Sequence, residues 1–146
     1  MKKANPEKFD VENHLFQFNY SDGFNDRLLC LSLLVDINFD YRLEYKTFKT
    51  KEHVVTGTLN TKISGNLLRL LESDLNDLED SYAFHEGATD FPTIVIKLNQ
   101  YGKTRNLIFG VPFQTLNANF LSENLLFEVV KDMKELLEQL TGMTLE

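Results

Sequence analysis

The chain has little of what usually announces a function. It has one cysteine, Cys30, so it cannot form an intramolecular disulfide and carries no mark of an oxidising compartment. Cys30 lies in the apolar stretch Leu28 to Val35 without basic neighbours, so it is expected to be a small buried hydrophobe, not a reactive thiol. That stretch is also the longest apolar run, and Ser32 interrupts it; a spanning helix needs about 20 such residues. Lys2 and Lys3 resemble the start of a signal peptide, but no apolar segment follows. The chain is therefore expected to be cytoplasmic, unless a leader was removed before this numbering, with no membrane partner. Bases are scarce: 15 Lys and Arg against 22 Asp and Glu leave a net charge of −7 among 146 residues. That balance argues against a chain-wide nucleic-acid footprint.

Catalytic and cofactor motifs are missing as well. His14, His53 and His85 lack the short spacings of a metal site. His85, Glu86 and Asp90 share a stretch with Gly87, but their spacing is not that of a calcium loop. The seven glycines form neither a G-x-G-x-x-G nor a G-x-x-x-x-G-K-[ST] phosphate cradle, and there is no G-x-S-x-G or C-x-x-C. The expectation is a non-catalytic domain with no cofactor and no metal.

What is present is a pattern of strands. Phe16, Phe18 and Tyr20 alternate with polar residues, as in a half-buried strand. Leu28 to Ile37 is apolar on both faces and reads as a central strand. Tyr41, Leu43 and Tyr45 alternate with Arg42, Glu44 and Lys46, and His53 to Leu59 completes a meander in which Gly57 suggests a bulge. The period then changes. Leu67, Leu68, Leu71, Leu75 and Leu78 share one arc of a helix over 65–79, with Ser64 as its N-cap. Ile94, Ile96 and Leu98, then Leu107, Phe109 and Val111, flank a turn at Tyr101-Gly102, and Pro112 ends this hairpin. A last helix over 122–140 carries Leu126, Val130, Met133, Leu137 and Leu140 on one stripe and stops at Gly142. Residues 1–13 read as a mobile arm or a short helix. The order ββββαββα predicts one α+β domain over 1–146. It would hold a single antiparallel sheet of about six strands, with two helices on one face.

Charge is the feature closest to function. Between Arg69 and Lys97 stand Glu72, Asp74, Asp77, Glu79, Asp80, Glu86 and Asp90, with no Lys or Arg. On a helix over 65–79 the first of these would form one acidic face, at a cost against the macrodipole. A local cost without local gain suggests a surface kept for a basic protein partner, steered by charge. The seven acids are the candidate partner-binding residues. A reverse patch of Arg42, Lys46, Lys49, Lys51, Lys62 and Arg69 interleaves with Tyr41, Tyr45 and Phe48, as in single-strand binders. Alternation, however, turns both tyrosines toward the core.

Four short segments carry a resemblance. They are Thr61-Lys62-Ile63-Ser64, then Tyr82, then Thr89-Asp90-Phe91-Pro92-Thr93, and last Tyr101-Gly102-Lys103. With them, the stretch from Tyr41 to Leu140 resembles a bacterial domain family of unknown function built as strands, helix, hairpin and helix. The family's opening Cys-Pro-x-Tyr has no match, since Leu31 follows Cys30. The resemblance implies an element order and no activity. Size and acidity are also similar to those of two binding classes. One comprises the immunity or inhibitor proteins that occlude bacterial toxins. The other comprises dimeric secretion or assembly chaperones, whose order of helix, three strands, helix, two strands and helix would fit if residues 4–13 were helical. The first is the leading expectation, the second the alternative, and a small enzyme without a recognisable motif the third. Oligomeric state is left open.

Overall fold

A computed structural model of the chain describes residues 9–21, 28–47, 52–82, 93–110 and 119–142. They form an α+β fold of two helices and one seven-stranded mixed sheet. Strands β1 (His14–Ser21), β2 (Leu28–Asp36), β3 (Asp40–Thr47) and β4 (Glu52–Thr58) run as an antiparallel meander. Helix α1 (Thr61–Glu72) then leads from the β4 edge back over the sheet. A 3-10 turn (Leu75–Asp77) and the two-residue β5 (Ser81–Tyr82) follow. The hairpin β6 (Thr93–Gln100) and β7 (Lys103–Gly110) closes the gap, with β6 beside β1, and α2 (Leu121–Thr141) ends the fold. The sheet order is β4-β3-β2-β1-β6-β7-β5.

Register divides the sheet into two unlike faces. One row reads Val55, Leu43, Leu33, Phe18, Ile96, Leu107, and the next reads His53, Tyr45, Leu31, Tyr20, Ile94, Phe109, Tyr82. Most of these residues are buried and form one core with Ile63, Leu67 and Leu70 of α1 and Leu126, Val129, Val130, Met133 and Leu137 of α2. The helices lie against each other over this face. Asp132, buried on α2, accepts from Asn66 Nδ2 at 3.2 Å and pairs with Lys62 Nζ at 3.6 Å, tying the two helices together. The alternate rows carry Arg42, Gln17, Lys97, Glu44, Ser32 and Asn19, and no helix among the described residues covers them.

Several boundaries differ from the sequence expectation, each for a physical reason. The sheet is mixed because β5 pairs parallel with β7, and two residues are too few to show a period. Asn60, not Ser64, caps α1: its side chain accepts the Ile63 N–H at 2.9 Å. The helix stops at Glu72 because Ser73 Oγ bonds back to the Leu70 carbonyl at 2.6 Å and Asp74 opens a new turn. Leu75 and Leu78 still reach the core, since residues three apart share a face in a 3-10 turn as well. Cys30 is exposed, because its position faces away from the helices beside Lys46. Residues 9–13 form a turn held by Asp10, whose oxygens accept the Glu12 N–H and the Asn13 side chain. Residues 1–8 and Pro112 lie outside the described residues. Tyr101 (φ 52°) and Gly102 (φ 80°) form the expected tight turn, and Gly142 (φ 71°) ends α2.

Gly57 is not a bulge. It pairs in register with Tyr41, and a Cβ there would lie 2.5 Å from the Tyr41 Oη. The ring lies over the glycine, which is why that strand position holds no side chain. Gly57→Ala is therefore expected to push Tyr41 out of its seat and cost about 1–3 kcal/mol in urea unfolding. Unchanged stability would show that the ring is not held there.

Candidate functional site

The five described acids of the expected site do not share a helix face. Glu72 is the last residue of α1. Asp74 caps the 3-10 turn by accepting the Asn76 N–H at 3.1 Å, and Asp77 ends it. Glu79 and Asp80 lead into β5. The macrodipole cost expected of a long helix falls on Glu72 alone, and Arg69 in the same last turn offsets it. Glu86 and Asp90 fall outside the described residues. What the fold presents is an acidic connection along the β5 end of the sheet.

This connection is held by partners the sequence does not show. Arg105 of β7 pairs with Asp80 Oδ1 at 3.1 Å and donates to the Leu78 carbonyl. The Ile108 N–H donates to the Asp80 carbonyl at 2.9 Å, and Gln100 Nε2 reaches Asn76 Oδ1 at 3.2 Å. The Glu79 N–H donates to Tyr82 Oη at 3.0 Å, and Tyr82 in turn donates to Glu123 Oε2 at 2.8 Å. Glu123 is buried in the first turn of α2, where its other oxygen accepts the Asn119 N–H at 2.8 Å. Its charge suits a helix N-terminus. The Tyr82 ring stacks on Phe109 and meets Phe127 edge-on. Glu72, Asp74, Glu79 and Asp80 nevertheless stay exposed. Asp80 has a structural duty, and so does Asp74; Glu72, Asp77 and Glu79 are the acids whose carboxylates the fold itself leaves uncommitted to a cap or the Arg105 pair.

A second feature lies at the opposite end of the sheet. A cleft of about 420 Å³ is lined by His14, Leu34, Asp36, Asp40, Arg42 and Thr58 among others. Sequence reasoning missed it because β1, the β2–β3 turn and β4 meet only through long-range pairing. Its polar groups are engaged with the local backbone and with neighbouring side chains. Asp36 Oδ1 accepts the N–H groups of Asn38 and Asp40, at 2.8 and 3.1 Å. Asp40 Oδ1 accepts the Thr58 hydroxyl at 2.6 Å, and Arg42 is drawn to Glu44 at 3.1 Å. His14 Nδ1 accepts the Asp10 N–H at 2.9 Å, so a neutral ring carries its proton on Nε2. No group of three potential metal ligands occurs among the described residues.

The basic patch is split between layers. Arg42 and Lys46 lie on the helix-free face with Glu44 between them, whereas Lys62 and Arg69 belong to α1. Tyr41 and Tyr45 pack on the core, and Phe48, Lys49 and Lys51 lie outside the described residues. No helix among the described residues is long and apolar enough to cross a membrane.

No protein-family model matches the chain, and no curated protein matches it. The resemblance to a bacterial domain family rests on the short segments that suggested it.

Burial, opposed by the Glu79 N–H and aided by the Glu123 carboxylate, pushes the Tyr82 phenol up to about 12. An unfolded tyrosine titrates near ~10. The native state therefore holds this proton more tightly, and the associated stability is full below pH ~10 and lost as pH rises through about 12. Tyr82→Phe is expected to flatten that alkaline loss. At neutral pH it should cost about 1–3 kcal/mol, because Glu123 loses a donor and the Glu79 N–H an acceptor. Urea unfolding at pH 7 and across the alkaline range checks both, and an unaltered alkaline slope would refute the assignment.

Proposed function

We propose that this chain is a protein-binding domain that docks a basic partner through the acidic connection between α1 and β5, as immunity and inhibitor proteins occlude a toxin such as a nuclease. The observation that carries this reading is the combination of exposed acids with a fixed backbone. Arg105, Tyr82 and the Asp74 cap hold the segment that carries the exposed Glu72 and Glu79 and the half-buried Asp77. A charged ridge already in place loses little conformational freedom on docking. Its field raises the association rate with a basic surface and repels acidic competitors. Occlusion requires only that the ridge cover the partner's substrate-binding bases. A second reading, a dimeric secretion or assembly chaperone, draws on a different feature, the long edge strand β4. Its family's order is not reproduced before α1, where four strands stand and residues 9–13 are a turn.

The test leaves Asp74 and Asp80 in place, since reversing them would disturb the cap and the Arg105 pair. The triple variant Glu72→Lys, Asp77→Lys, Glu79→Lys should keep the wild-type melting temperature within a few degrees. Tagged wild-type protein is expected to capture one basic protein from its source lysate at low salt and lose it at moderate salt. With that partner purified, the triple variant should associate at least about tenfold more slowly at low salt. Equal rates and equal salt dependence for the two forms would sink the proposal, as would failure of the wild type to retain any basic protein.

A further inference from the structure

The two edges of the sheet are finished differently. At one end, β5 is two residues long, and the acidic connection runs into it. At the other end β4 is seven residues long, and residues 53–58 read His-Val-Val-Thr-Gly-Thr. That stretch has no proline and no charge, the devices that normally protect an edge, and four of its six residues are β-branched. The Leu59 N–H donates to the Phe39 carbonyl at 2.9 Å, which fixes the alternation of the β3–β4 ladder. Gly57, Val55 and His53 therefore turn their backbone groups toward β3, whereas Thr58, Thr56 and Val54 turn theirs outward. Val54 is also one of the larger exposed apolar side chains, at 53%.

We infer that the β4 edge is a pairing surface for a second copy of this chain, joined antiparallel about a two-fold axis at Val54. In that register Val54 faces Val54 of the second copy, and the two residues exchange both backbone hydrogen bonds. Each valine covers the other's exposed side chain. His53 falls opposite Val55 of the second copy on the helix side. Glu52 falls opposite Thr56 of the second copy, and beyond that short side chain stands Arg42, its cross-strand neighbour. The row Lys46, Glu52, Thr56, Arg42 then crosses the joint twice by symmetry, with Glu52 set between two bases, so no like charges meet along it. The net charge of −7 does not oppose the pairing locally. Glu79 and Asp80 of the connection lead into the far edge, six strand spacings or roughly 29 Å away. That is several Debye lengths at physiological salt. A basic peptide would find no acid row along residues 53–58, whereas a neutral β-branched strand with the same outward groups is what a second copy supplies. This inference is independent of the acidic connection.

Sedimentation velocity and amide exchange on the full chain, from about 5 to 500 µM, test it. The expected result is a concentration-dependent dimer in which exchange at Val54 and Thr56 slows by about tenfold or more. Val54→Lys sets two charges face to face. Thr56→Pro removes an outward N–H that the β3 ladder does not use. Both should sediment as monomers, with circular dichroism confirming the fold. A wild type that stays monomeric across the range overturns the inference. So does a dimer whose protection lies elsewhere, or protection at Val54 without a gain in mass. The wild-type exchange data decide the question even if a variant fails to fold.

Discussion

Everything in this fold follows from the need to cover one face of a sheet. Phe16, Phe18 and Tyr20 alternate along the central strand with virtually no exposure, and Leu31, Leu33 and Val35 on one side and Ile94, Ile96 and Leu98 on the other extend the same apolar sheet surface. Each such side chain contributes roughly 1.5–3 kcal/mol once removed from water, provided something apolar lies over it. The meander ends at one edge, so the cover has to start there. Helix α1, the 3-10 turn and the residues leading into β5 together take the chain from the β4 edge to the β5 edge, and α2 fills the space beside α1. The length of that crossing puts the acidic connection at the far edge and leaves β4 as the near one. Both candidate surfaces are thus consequences of how the apolar face is closed.

Legibility in the sequence tracked the range of the interactions. Period two exposed β1, β3, β6 and β7, because alternate burial is written directly into neighbouring residues, and β2 was legible as a run apolar on both faces. The stop at Gly142 and the tight turn at Tyr101-Gly102 were equally local. The end of α1 was not, since the apolar arc continues through Leu75 and Leu78 into a 3-10 turn that keeps the same face. Only the competing bonds of Ser73 and Asp74 reveal the break. Cys30 shows the opposite error. An apolar neighbourhood implied burial, but its face of β2 has no helix over it among the described residues. For the acidic stretch the acids themselves were visible. Their partners Arg105, Tyr82 and Glu123 come from three later elements, so no local pattern could separate the structural Asp80 from the solvated Glu79. The cleft around His14 and Asp40 depends on strand pairing throughout and left no trace in the sequence.

The separation of the two surfaces has a physical consequence for how they would act together. A strand edge with free backbone groups is an aggregation hazard, and natural proteins usually answer with charge on the edge itself. Here the charge sits elsewhere. A net charge of −7 keeps copies apart at low salt through a field that acts on the whole molecule, while residues 53–58 of the edge carry no Asp, Glu, Lys or Arg. Salt then acts on the two ends with opposite sign. Screening weakens attraction between the acidic connection and a basic partner, and it relieves the general repulsion between two copies that would meet at β4. Pairing along β4 would also leave two acidic connections at the outer ends of one continuous sheet. A partner with two basic sites at matching separation would then gain from the second contact without any new chemistry. If both proposals hold, the acidic connection at one edge and the uncharged stretch at the other would form a single arrangement, in which each edge would suit a contact the other would reject.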